Sequence, residues 1–192
     1  GNGVYVDASQ GNWSEGLTAY LADHRIKAQV GEGAEYRRST LQKYAAFVGQ
    51  GAAFPLREFR GRHDETTQAI GYGKALMLFH ELRREVGDAT FFVGLKHFYQ
   101  RYRFQSATFG DLLTALGTDQ AWQQHWLTGT SAARLALSAA SATPQAAGYR
   151  LQFTLTQQQG GEALPLLIPL RVQFVDTKIA PHQATVTMTQ TT

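Results

Sequence analysis

The chain of 192 residues is 43% hydrophobic and 17% charged with a net charge of +3, ordinary globular chemistry with room for one or two domains. Its basic residues form short clusters without interleaved aromatic residues, so no nucleic-acid partner is predicted. The lack of cysteine excludes a disulfide framework and a thiolate metal site. No apolar run approaches the length of a membrane span, and residues 1–30 lack a signal-peptide pattern. A soluble protein without a membrane span is expected, and its cellular location is left open.

The first predicted element is an amphipathic helix that begins near Asn12. Apolar residues recur at helical spacing at Leu17, Tyr20 and Leu21. Asn12 suits an N-cap, and Glu15 can reach back to it in a capping box. The alternative is that the Glu15 carboxylate binds a metal, since Zn²⁺ accepts a carboxylate oxygen beside two imidazoles.

Helical periodicity continues to about residue 128 and predicts further helices with apolar stripes. The stripes are Leu41, Tyr44, Ala45 and Val48; then Ala75, Leu78, Phe79, Leu82 and Val86; then Phe92, Leu95, Phe98, Tyr99 and Tyr102. Residues 49–71 form a long connection between helices. Thr108 with Asp111 is predicted to cap one short helix, and Thr118 the next.

After about residue 130 the period of the apolar residues changes from helical to two, which indicates strands. Gln157 to Gly161 is predicted to be a turn. Pro165 and Pro169 cannot donate ladder hydrogen bonds, so they place their strand at an edge or interrupt it. The fold class is therefore α+β, mainly α, with a helical domain over residues 1–129 and a β domain over residues 130–192.

The six histidines do not form a recognisable metal motif, because no two of them lie three or four residues apart. His80 and Glu81 form half of a zinc motif, but Arg84 stands where the second histidine is needed. No Gly-x-Ser-x-Gly segment and no phosphate-binding glycine fingerprint occurs.

Two segments carry a resemblance to a known family: GNWSEGLTAYLADH at residues 11–24 and AIGYGKALMLFHELRREVGDATFFVGLKHFYQRY at residues 69–102. They resemble gluzincin zinc aminopeptidases, of the membrane alanyl aminopeptidase and leukotriene hydrolase kind. Glu15 falls where the family has its third zinc ligand, and Gly1-Asn2 resembles the end of the stretch just past the second histidine. The resemblance implies that the His-Glu-x-x-His helix, with two ligands and the general base, precedes residue 1.

The second segment resembles the family's Tyr-Glu-Lys-Gly region. Tyr72 matches the tyrosine whose hydroxyl faces the oxyanion, and Lys74 keeps its place. Gly73 replaces the glutamate of the family, and Ala75 replaces its glycine. A phenol suits the role of a neutral donor because its high pKa keeps it protonated. The alternative interpretation is a helix tyrosine whose ring packs in the core.

The resemblance implies a zinc-dependent peptidase acting on peptides with a free N-terminus, with residues 130–192 beginning a small β-sandwich. It also implies that residues 49–71 approach the substrate, so that Asp64 and Glu65 become candidates for binding its amine; otherwise they lie in a solvated loop. The chain alone is expected to be inactive, to hold no zinc, and to self-associate through an apolar face around Leu17, Tyr20 and Tyr72. The alternative function is a non-catalytic helical and β module for interaction or scaffolding.

Overall fold

The computed structural model describes residues 3–48, 52–146, 148–159 and 163–192. The chain divides into two compact units, Gly1–Thr130 and Ser131–Thr192. The first is built mainly of helices and the second of antiparallel strands, so the predicted mainly-α α+β class is confirmed. The predicted domains over residues 1–129 and 130–192 stay a prediction. Gly1-Asn2 and part of the predicted turn at Gln157 to Gly161 lie outside the described residues.

The helical unit contains eight α-helices in its described part. They are α1 (Trp13–Thr18), α2 (Arg25–Gln29), α3 (Gly33–Val48), α4 (Glu65–Gln68), α5 (Ala75–Val86), α6 (Asp88–Tyr102), α7 (Phe109–Ala115) and α8 (Gln120–Thr128). Two π-helical turns interrupt this pattern. The first π turn, Ala19–His24, joins α1 to α2, and the second π turn, Ala69–Lys74, joins α4 to α5. Residues 13–29 and 65–86 are therefore two continuous helical segments, each with a wide turn inside it.

The core of the helical unit is centred on α5. Its predicted apolar stripe is confirmed, because Ala75, Leu78, Phe79 and Leu82 are all buried. The stripe predicted for α6 is partly wrong, since its Phe98 is buried as predicted but Phe92 and Tyr99 are exposed, and the helix also buries Phe91 and Gly94. In α3 the predicted stripe is partly confirmed: Val48 is buried and Tyr44 packs against the core, whereas Leu41 and Ala45 are exposed.

The ends of the helices show which cap predictions were right. Thr108 and Asp111 form the predicted capping box of α7. The prediction that Thr118 caps α8 is wrong: the cap is Asp119, whose side chain accepts from the Trp122 N–H at 2.8 Å. The Thr118 hydroxyl instead donates to the carbonyl of Leu113 at 2.9 Å and ends α7.

A short parallel pair ties the beginning of the unit to α7. Strands β1 (Tyr5–Val6) and β2 (Ser106–Ala107) pair in register, Tyr5 with Ser106. The buried indole of Trp13 donates to the carbonyl of Ala107 at 2.8 Å, which fixes the start of α1 against the same segment.

The second unit consists of two antiparallel pairs within its described residues: β3 (Leu135–Gln145) with β4 (Gly148–Gln157), and β5 (Leu166–Val172) with β6 (His182–Met188). Among these residues β5 pairs with β6 alone, an edge position that suits Pro169, which has no N–H to donate. Its neighbour Pro165 precedes the strand.

Gln157 is a buried polar residue that ties the second unit together. Its side-chain N–H groups donate to the carbonyls of Leu164 at 2.8 Å and Gln190 at 3.2 Å. Its Oε1 accepts from the Leu164 N–H at 2.9 Å and from the Gln159 side chain. A buried amide that is fully hydrogen-bonded costs little and fixes the segments that it joins. None of the described helices is long and apolar enough to cross a membrane.

Candidate active site

Glu15 lies in the first turn of α1 without acting in a capping box. The Asn12 side chain accepts from the Ser14 N–H at 3.1 Å, which confirms it as the N-cap. The backbone N–H of Asn12, which a capping box would direct to Glu15, donates to the carbonyl of Phe59 at 2.8 Å. The capping-box interpretation of Glu15 is therefore wrong, because the donor that it needs is used elsewhere.

Tyr72 lies in the second π turn, half-buried, with its ring edge-on to Phe59 at 6.1 Å between centroids. Burial raises the pKa of its phenol, and the nearby Glu15 carboxylate raises it further, against a smaller opposing effect of Arg62. The structure thus brings Glu15 and Tyr72 side by side. A tyrosine with a raised pKa stays a neutral hydrogen-bond donor over a wide pH range.

Close packing of two helices produces this pairing. Gly16 and Ala75 are buried against each other where α1 contacts α5, and a Cβ on Gly16 would overlap the Cβ of Ala75. Glu15 precedes Gly16, and Tyr72 lies one turn before Ala75. The small residues at this contact therefore set how near the Glu15 and Tyr72 side chains come to each other.

Lys74 anchors the end of the second π turn. Its Nζ donates to the carbonyl of Gly129, just beyond the last turn of α8, where a positive charge is favoured. Burial lowers the pKa of this ammonium to about 8. The contact links the turn that carries Tyr72 to the end of α8, which the sequence did not predict.

Asp64 and Glu65 are both exposed, and the structure separates their surroundings. Asp64 is the N-cap of α4; its Oδ1 accepts from the Thr67 N–H at 2.7 Å, and this bond and the one from the Thr67 hydroxyl hold the pKa of Asp64 below its usual value. Glu65 lies 3.5 Å from Arg62 and lines a cleft together with Tyr72. That Asp64 and Glu65 bind the substrate amine stays a prediction. Of the two, only Glu65 lines the same cleft as Tyr72.

That cleft has a volume of about 80 Å³ and lies between α3 and the second π turn. Both apolar and polar side chains line it, some of them buried and others, such as Lys43 and Glu65, exposed. The lining residues are Ala19, Tyr36, Thr40, Lys43, Phe47, Glu65, Gln68, Ala69, Tyr72, Gly73 and Leu76. A concave site beside the predicted oxyanion donor can hold part of a substrate.

The described residues do not by themselves make a zinc site. Within residues 3–48, 52–146, 148–159 and 163–192, no group of three or more histidine, aspartate or glutamate side chains is placed to hold a metal. The Glu15 carboxylate has the right chemistry for one ligand, but zinc is held by at least three protein ligands. Its predicted ligand role therefore depends on imidazoles that the resemblance places before residue 1.

A second cluster was not predicted, because its members are far apart in sequence. His24 and His80 lie 5.6 Å apart between ring centroids, and the Tyr20 hydroxyl lies 3.3 Å from His80 Nδ1. His24 Nε2 lies 2.7 Å from the guanidinium of Arg37. A guanidinium can only donate, so His24 accepts there and is neutral. The helical spacing of Tyr20 and His24 was the one sequence signal for this cluster.

Burial lowers the pKa of both imidazoles, that of His80 to about 3, and the charges of Arg37 and Arg83 lower both further. The cluster also corrects an earlier expectation. Tyr20 was predicted to lie in an exposed apolar face, yet it is only 2% exposed.

No protein-family model matches the chain, and no curated protein matches it at a significant level.

Proposed function

We propose that the chain is part of a zinc-dependent metallopeptidase, an aminopeptidase that removes N-terminal residues from peptides. The observation that supports this most is that the side chains of Glu15 and Tyr72, predicted as site residues from separate segments of the sequence, lie close together. Glu15 is also not used as part of a helix cap. An acidic metal ligand and a phenol donor need such proximity, because the metal that the ligand would hold and the phenol act on the same reacting carbonyl.

In this proposal the chain's own residues have separate roles. The phenol of Tyr72 donates a hydrogen bond to the oxygen that becomes negative when the peptide carbonyl is attacked. Burial, the largest cause of its raised pKa, favours keeping that proton in place. The metal would supply a polarised water, and Glu15 would contribute one of its ligands. Glu65, at the mouth of the cleft, is proposed to bind the substrate amine, with Asp64 as the weaker candidate.

The test uses the protein extended through the helix that the resemblance places before Gly1. We expect the coding sequence to contain His-Glu-x-x-His there, and the extended protein to hold one zinc and hydrolyse aminoacyl anilides. Tyr72→Phe should lower kcat by roughly 10²-fold without loss of zinc. Glu15→Gln should lower zinc retention, and Tyr44→Phe on α3 is the matched control. An upstream sequence without the motif, or full activity in Tyr72→Phe, would overturn the proposal.

The chain alone gives a simpler first measurement. After dialysis against a low level of zinc, mass spectrometry should find well below one metal per chain, because Glu15 is a single ligand. One tightly held zinc per chain would mean that other side chains supply the site.

The alternative function, a non-catalytic interaction module, is favoured by the second unit. One face of the β3–β4 pair exposes Leu135, Leu137, Tyr149, Leu151 and Phe153. Apolar faces of this kind mark surfaces that contact other proteins. Hydrolysis by the extended protein would separate the two functions, since an interaction module needs no intact zinc motif.

A further inference from the structure

Phe59 lies where the two segments of the candidate site come together. It directly follows a 3₁₀ turn, Leu56–Glu58, in the connection after α3, and it is only 1% exposed. This connection was predicted to approach the substrate, and Phe59 had no predicted role in it. Its ring contacts the second π turn, and its backbone carbonyl contacts the start of α1.

The ring of Phe59 packs against two residues of the second π turn. It lies edge-on to the Tyr72 ring, with 6.1 Å between centroids and 77° between planes. It also lies directly against the buried Gly71, because a Cβ added there would come within 2.1 Å of the nearest ring carbon. Only glycine allows a ring to pack so closely on this backbone. The Phe59 ring therefore supports the turn and the phenol ring that the turn carries.

The backbone around Phe59 holds the start of α1. Its carbonyl accepts from the Asn12 N–H at 2.8 Å. Gly11 packs against the same 3₁₀ turn, since a Cβ there would lie 2.7 Å from the carbonyl oxygen of Leu56. Because Asn12 is the N-cap of α1, these contacts fix the first helical turn, which carries Glu15.

We infer that Phe59 is a positioning residue that holds the Glu15 carboxylate and the Tyr72 hydroxyl in their mutual arrangement. Its ring supports one of the two groups and its carbonyl supports the other, so a shift of Phe59 moves each relative to the other. The inference rests on the proposed function, because the arrangement matters for catalysis only if both groups serve one reacting carbonyl. A displacement of about 1 Å in such a site can lower a rate by about 10²-fold.

The test measures the pKa of Tyr72 in the chain itself, by NMR of ¹³C-labelled tyrosine. Phe59→Leu stays apolar but removes the ring edge that shields the phenol, so the pKa of Tyr72 should fall toward its ordinary value of about 10. Phe91→Leu is the matched control, because Phe91 is also fully buried but lies edge-on to Tyr20, at 6.0 Å. The Asn12 amide should exchange with solvent about tenfold faster in Phe59→Leu than in the control.

A second pair of variants separates positioning from stability. Gly71→Ala inserts a methyl group against the Phe59 ring, so it should destabilise the chain and lower the pKa of Tyr72. When Phe59→Leu is added, leucine leaves room for the methyl; stability against urea should recover, whereas the pKa of Tyr72 should stay low. Equal effects of Phe59→Leu and Phe91→Leu, or a Tyr72 pKa that recovers together with stability, would overturn the inference.

Activity gives a further measurement in the extended protein. There Phe59→Leu should lower kcat by about tenfold, with zinc retained and with KM changed by less than about twofold. An unchanged kcat in this variant would overturn the positioning role. An extended protein without any hydrolytic activity would overturn the proposed function instead, and the NMR measurements would still decide whether Phe59 holds the pair.

Discussion

At the residue scale, the packing that brings Glu15 near Tyr72 also changes the acid–base chemistry of the phenol. A carboxylate next to a phenol disfavours the phenolate, because ionisation would place two negative charges side by side. The pair therefore holds Tyr72 in its donor state through groups present in the chain itself.

This arrangement predicts a titration change at a single residue. In Glu15→Gln the charge is lost while an acceptor remains, so the pKa of Tyr72 should fall toward its ordinary value. It should stay above that value, because burial is the larger cause and is unchanged. NMR of ¹³C-labelled tyrosine against pH measures it. Glu85→Gln, on α5 away from the site, should leave Tyr72 unaltered, and equal effects of the two variants would refute the pairing.

At the scale of elements, the contact of α1 with α5 controls the site. Gly16 lies so near Ala75 that even one methyl group must displace a helix. Gly16→Ala should destabilise the helical unit by about 1–3 kcal/mol through overpacking. Urea unfolding measures the loss of unfolding free energy, and Gly61→Ala, which adds its methyl in open space, should change stability far less.

The pKa of Tyr72 should also fall in Gly16→Ala, because Glu15 moves together with its neighbour Gly16.

Local patterns were enough to predict part of this fold. The start of α1 at Asn12, the Thr108 cap and the strands after residue 130 each depend on residues close in sequence. The π turns and the Glu15–Tyr72 pairing depend on long-range contacts, such as that of Gly16 with Ala75, which no local period encodes. Glycine at 71 and 73, inside an otherwise helical pattern, was the one visible sign of an irregular turn.

At the scale of the whole molecule, the histidine cluster links stability to acidity. His24 and His80 are held neutral among Arg37, Arg83 and Arg84. Their pKa values are lower in the folded state than in the unfolded state, so the unfolded state binds more protons in acid. Above about pH 6.5 the two histidines do not change the free energy of unfolding with pH. Below that pH the free energy of unfolding decreases progressively, and the contribution of His80 stops changing near its folded-state pKa of about 3.

His80→Gln should reduce this acid sensitivity, because glutamine does not titrate. Between about pH 7 and about pH 4.5, His80 can account for a loss of at most about 3 kcal/mol of unfolding free energy. Urea unfolding at the two pH values should show a smaller difference for the variant than for the parent chain. His97→Gln, at an exposed position on α6, should leave the difference unchanged. An unaltered difference in His80→Gln would contradict the prediction.

The second unit predicts association at the same scale. Leu137 and Leu151 are 58% and 44% exposed on one face of the β3–β4 pair. Light scattering should show a mass that rises with concentration, and Leu137→Lys with Leu151→Lys should reduce the rise. Gln152→Lys, on the opposite face, is the control. A monomer at all micromolar concentrations would contradict this prediction.

The second π turn has a consequence for relatives of this chain. Such a turn contains one residue more than a regular helix needs, so it amounts to an insertion kept inside an element that normally tolerates none. Deleting one residue between Ala69 and Lys74 would restore a regular helix and redirect the side chains that now lie inside the turn. The core of α5 could survive, but Tyr72 would no longer face Glu15. In relatives, an unchanged number of residues in this segment would therefore indicate more directly than unchanged residue types that the Glu15–Tyr72 arrangement is kept.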